Sequence, residues 1–341
     1  MDKSLLKLNL QLFATTMTTE TGSLSAEMKT FYEKRLLDQA EPLLVHNQFG
    51  DKYPIPANNG KKIEFRKYSA LPKALTALTE GVTPAGNSLT VTTVEGTVKQ
   101  YGDWIQLSDM LQMTAIDNNV VQATKLLSSQ AGRTLDTVTR EVLAGGTNVI
   151  YAPKVVDGAE TEVLSRSALT PECVLTPFVV MRAAATLEAM NTPKIDGSYV
   201  LIIHPYCRET LQESPGWVDV VKYKEGNNTF SGEIGKIGDV RVVTTSEAKV
   251  INDSTCPVVE STTYYSVFTS LLLGANAYGV TMLENGGLQH IVKQLGYGED
   301  PLNQRSSCGW KATSVAVRLC EEYMVRIESL SPVWSKKVKA N

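Results

Sequence analysis

The residues that could do chemistry are few and scattered. Three histidines, His46, His204 and His290, are far apart in sequence, and none stands beside a cysteine. No pair has metal-ligand spacing, so the sequence predicts no zinc site and no other metal. Cys173, Cys207, Cys256, Cys308 and Cys320 are odd in number and contain no C-x-x-C spacing, which fits a reducing compartment better than a disulfide framework. No G-x-S-x-G elbow occurs. Gly60-Lys61-Lys62 and Gly235-Lys236-Ile237 lack the Ser or Thr of a phosphate loop that would hold magnesium. The acidic neighbours Glu299-Asp300 and Glu321-Glu322 could serve acid–base work. Glu321 and Glu322, taken as adjacent strand positions, would point to opposite faces. The expectation is therefore no catalytic residue, no cofactor and no enzyme.

The elements tell more. The outgoing segment KKIEFRKYS (61 to 69) alternates Ile63, Phe65 and Lys67 with Lys62, Glu64, Arg66 and Tyr68. The return segment LTVTTVEGTVKQY (89 to 101) is rich in Thr and Val, as pleated strands are. Between them lies a tip of nearly twenty residues carrying Leu71, Leu75 and Leu78. A two-stranded hairpin builds no core of its own. Its edges and apolar tip need a cover, from the parent domain or from a neighbouring subunit.

A long helix follows. Val120, Ala123, Leu127, Ala131, Leu135, Val138 and Val142 recur at helical spacing, with Asp117 as the cap and Gly145-Gly146 as the stop. Asp136 and Arg140 are placed as an i,i+4 pair on the solvent side. Ahead of the hairpin, Ser25 caps a helix to about Gln39, after a polar Thr-rich arm. Leu8, Leu10 and Leu12 alternate as in a strand or an arm laid against a partner. Downstream, residues 176 to 190 predict a helix with Pro177 in its first turn, and Tyr199 to His204 a buried central strand. Glycines at 226, 232, 235 and 238 punctuate turns before the strand VRVVTT. Residues 263 to 283 are strand-rich, and SVAVRLCEEYMVRIES holds two further strands. The tally is α+β.

The chain has 341 residues, 43% hydrophobic and 20% charged, with net charge −3. That is ordinary globular composition without the basic excess of a dedicated nucleic-acid binder. No apolar run is long enough to cross a bilayer, so no membrane partner is expected.

At GEIGKIGDVRVVTTS (232 to 246) the sequence resembles the apical turn and strand of tailed-bacteriophage major capsid proteins. The likeness extends through LSAEMKTFYEKRLLDQAEPLLVHNQFG (24 to 50), IPANNGKKIEFRKYSAL (55 to 71), LTEGVTPAG (78 to 86), QYGDWIQLSDML (100 to 111) and QAGRTLDTVTREVLAGGTNVIYAP (130 to 153). It spans about residue 8 to about 330. The resemblance implies the capsid fold shared with encapsulins and the herpesvirus capsid floor. It implies an N-terminal arm and helix (1–50), an extended loop with its flanks (51–108), a peripheral domain with a spine helix (109–198), an apical domain (199–265), and return strands with the tail (266–341). It also implies a loop lying over the adjacent subunit; apolarity and position then offer Phe65, Leu71, Leu75, Leu78 and Trp104 as contact residues. The implied partners are further copies of the chain in hexamers and pentamers, portal and scaffolding proteins, and double-stranded DNA held non-specifically. The implied location is the virion, after assembly in the host cytoplasm. The alternative is an encapsulin-type cage.

Overall fold

The computed structural model describes residues 44–341, apart from 55–60, 69–70, 79, 84, 115–118, 157, 214–216, 220–229, 231, 261–262, 283–286 and 299. The expected arm, the helix at 25–39 and the cap Asp117 lie outside the described residues. In chain order the strands are β1 (Asp51–Tyr53), β2 (Lys62–Tyr68), β3 (Val91–Thr97), β4 (Lys99–Ser108), β5 (Val149–Tyr151), β6 (Lys154–Val156), β7 (Ala159–Thr161), β8 (Tyr199–Ile203), β9 (Trp217–Asp219), β10 (Glu233–Ile237), β11 (Val240–Thr244), β12 (Val250–Ile251), β13 (Val258–Glu260), β14 (Thr263–Tyr264), β15 (Val267–Leu273), β16 (Tyr278–Thr281), β17 (Leu288–Lys293), β18 (Arg305–Ser314), β19 (Ala316–Arg318) and β20 (Met324–Ser329). The helices are α1 (Asp109–Thr114), α2 (Asn119–Ala144), α3 (Pro177–Ala189) and α4 (Arg208–Gln212).

The hairpin forms as its alternation requires: β2 and β3 pair antiparallel from Lys62↔Thr97 to Tyr68↔Val91. The return strand is not one strand. It divides at Val98, whose N–H donates to Lys61 O at 2.8 Å. Beyond that point β2 has no residues left to pair, and β4 takes β18 as its partner through ten residue pairs, Lys99↔Ser314 to Ser108↔Arg305. The same length of chain thus belongs first to the hairpin and then to the sheet β17-β18-β4.

That sheet packs on α2. The helix has 26 residues, about 39 Å at 1.5 Å per residue. Leu127, Ala131 and Leu135 are buried against Leu288, Cys308, Trp310 and Ala312. Polar residues on the buried face satisfy themselves along the helix: Thr124 Oγ1 donates to Val120 O at 2.8 Å and Ser128 Oγ to Thr124 O at 2.7 Å. The helix stops as Gly145 N donates to Glu141 O and Gly146 N to Leu143 O.

The placement of Asp136 and Arg140 on the solvent side is corrected. Both are buried, at 0% and 1% exposure. Each answers a distant segment instead of the other. Asp136 accepts from the His46 N–H and contacts His46 Nδ1, both at 2.7 Å. Arg140 donates to Glu247 O at 2.8 Å.

The second body is the sheet β5-β20-β15-β8-β11-β10-β9, with β12 paired to β15. All five residues of β8 are buried because both faces of the sheet are covered. Tyr199, Leu201 and Ile203 face a core shared with Val179, Val180, Ala183 and Leu187 of α3. Val200 and Ile202 face the opposite core, with Phe49, Leu143 and Tyr278. The two-residue period of the strand divides one apolar run between two cores. Of the strands after residue 265, β15 and β20 lie in this sheet while β17 and β18 lie in the other. Glu321 and Glu322, read above as strand positions, sit in a 3-10 turn, with Glu321 3.2 Å from Arg318.

Candidate assembly surface

The hairpin is well supported at its base and bare at its tip. Ile63 and Phe65 are 8% and 4% exposed, packed with Val315 and flanked by Val94, Val98, Val317 and Leu319. Two glycines allow this approach. A Cβ on Gly279 would lie 2.8 Å from the Phe65 ring, and one on Gly96 would lie 2.5 Å from the Val317 side chain. Tyr53 meets the Phe65 ring edge-on at 4.8 Å. Phe65 is therefore corrected as a contact residue. Its own chain encloses it, and it roots the hairpin.

Leu71, Leu75 and Leu78 behave otherwise. They are 56%, 86% and 78% exposed in a segment without regular structure. Val82 and Leu89, which the sequence reading did not single out, are as open. Trp104 is 61% exposed on β4. It lies in one cross-strand row with Gly309 and Ile291, where a Cβ on Gly309 would come within 2.8 Å of the Trp104 Cβ. The glycine lets the indole lie over the outer face of the sheet, away from the face that packs on α2. Just beyond it Met110 and Met113 of α1 are also exposed. Their three-residue spacing after a strand was the available signal.

The titratable groups that come together are structural. His290 Nε2 lies 3.1 Å from Cys308 Sγ, a proximity that their sequence separation hides. Burial lowers the histidine and raises the thiol, so both stay neutral, the opposite of an activated thiolate–imidazolium pair. Burial also lowers His204 to about 4 and raises Cys207 to about 12. Among the described residues no three His, Cys, Asp or Glu side chains gather to hold a metal. No described helix is long and apolar enough to cross a membrane.

Residues 90–317 match the family model described as phage capsid protein. The chain belongs to the phage capsid protein family. No protein of curated function matches it significantly. Its fold is that of tailed-phage capsids. The capsid of Ralstonia phage GP4 superposes with a TM-score of 0.67 at 14% identity, covering 87% of this chain and 90% of that one. The mature capsid of bacteriophage PhiM1 gives 0.54 at 14% identity, with coverage of 83% and 86%. A virus-like particle from Pyrococcus furiosus gives 0.50 at 11% identity, with coverage of 88% and 99%. This capsid protein is thus a structural component of a virion shell. Its rigid parts are held by the polar clusters already described and by Glu328, fully buried in β20, which accepts from Arg166 Nε and Nη2 at 2.7 Å each.

Proposed function

We propose that this capsid protein is the major head protein of a tailed phage or prophage, assembling through hexamers and pentamers into an icosahedral shell around double-stranded DNA. One observation carries the reading: a hairpin rooted in its own subunit by Phe65 presents a tip whose leucines are exposed. A tip of that composition gains stability only by burial elsewhere, at about 25 cal/mol per Å² of apolar area. The neighbouring copy supplies the cover, at a surface that includes Trp104. Each contact is modest, and repetition over many copies makes the shell persistent.

The helix α2 with β17-β18-β4 corresponds to the peripheral domain and the eight-stranded sheet to the apical domain. A net charge of −3 suits a container that must release its nucleic acid, since a strongly basic lining would hold phosphates tightly. Portal and scaffolding proteins are the expected head partners, and assembly takes place in the host cytoplasm. An encapsulin-type cage is second, because the family match is to phage capsids.

Negative-stain electron microscopy of the purified chain, with and without residues 70–88, tests the proposal. Shells or capsomers that vanish on deletion are expected. A monomer indifferent to the deletion, even with co-expressed head proteins, would overturn it.

A further inference from the structure

Beyond β20 the chain doubles back across the edge of the eight-stranded sheet. The Ser331 N–H donates to Ser335 Oγ at 2.8 Å, closing a turn in which Ser335 is 1% exposed. Ser335 O accepts the Ser266 N–H at 2.8 Å, and Ser266 Oγ donates to Val338 O at 2.6 Å. Trp334 stacks on Tyr206, centroids 4.4 Å apart and planes 17° from parallel.

The segment ends in a knot. Asn341 Oδ1 accepts the Val250 N–H at 2.9 Å, and Asn341 Nδ2 donates to Ala248 O at 2.9 Å. One side-chain amide thereby bonds two alternate backbone positions, as a neighbouring strand would. Asn341 O in turn accepts from Arg140 Nη2 at 3.1 Å. Arg140 belongs to α2, and its other terminal nitrogen reaches Glu247 O. Beside it, Glu141 pairs with Lys249 at 2.8 Å. Helix, sheet edge and tail meet at this one place, and the buried guanidinium gives it a strong preference for staying closed, because an acceptor withdrawn from a buried charge is costly.

We propose that residues 331–341 are a strap that fixes the angle between α2 and the eight-stranded sheet, with Asn341 as its latch. In the shell reading, on which its use rests, that angle sets the curvature of the assembled wall.

The test is made on the full chain. Leu126 and Met181, exposed on α2 and α3, are changed to Cys and spin-labelled; the native cysteines are all buried. Asn341→Ala removes the two side-chain bonds to Val250 and Ala248 and leaves Asn341 O for Arg140, so the buried guanidinium keeps its acceptor and the subunit still folds. The expected result is a roughly twofold broader distance distribution between the labels, with faster hydrogen exchange at Val250 and also at Ser266. An unchanged distribution, or faster exchange at Val250 alone, overturns the strap. Because these readouts use the subunit, they stand apart from whether the wild-type chain forms shells, which judges the shell reading.

Discussion

At the residue scale burial separates roles: Phe65 and Leu75 are both apolar and both lie in the hairpin region, yet one is 4% and the other 86% exposed. Phe65→Ala should lower subunit stability by about 3–5 kcal/mol in a denaturant titration. Leu75→Asp should leave that stability within about 0.5 kcal/mol and abolish shells under the electron microscope. Asp136→Ala strands the buried His46 N–H and should cost about 3 kcal/mol or more in the same titration. For pH the sign follows from His204. Its folded value of about 4 lies below the ordinary 6.5, so the unfolded chain takes up the proton first as pH falls. The contribution is whole above 6.5 and is lost as pH drops from there toward 4. His290 shifts the same way. His204→Gln should flatten, and not reverse, the fall of the unfolding midpoint over that window.

At the scale of elements, the sequence made the hairpin, the long helix, α3 and β8 legible, because each carries its own period or punctuation. Pro177 opens α3, and Asn191, at φ 55°, turns the chain away from it. What stayed hidden was pairing between distant segments. Nothing local in LTVTTVEGTVKQY marks Val98 as the change of partner, since the event depends on β2 beginning at Lys62 and on β18 being near. Asp136 and Arg140 had helix spacing right for a surface pair, and only tertiary structure brings His46 and Glu247 to them. The tip leucines were readable as an apolar tip between two strands, in need of a cover. Phe65 was misread because its cover comes from Val315 and Gly279, far along the chain.

On the scale of the whole molecule, all five cysteines are buried and unpaired, so the native subunit should give almost no thiol reaction with an aromatic disulfide reagent until denaturant is added. A stoichiometric native reaction would show that the two sheet bodies part readily. The division of one run of backbone between β3 and β4 has a mechanical consequence. The hairpin tip is joined through β3, and one residue later through β4, to a ten-pair antiparallel ladder with β18. A pull on the tip therefore travels along the strand axis and loads all the rungs of that ladder in parallel, in shear, instead of peeling them one by one. Tension that reached the subunit through its hairpin would thus be shared among ten residue pairs and not concentrated on the first of them.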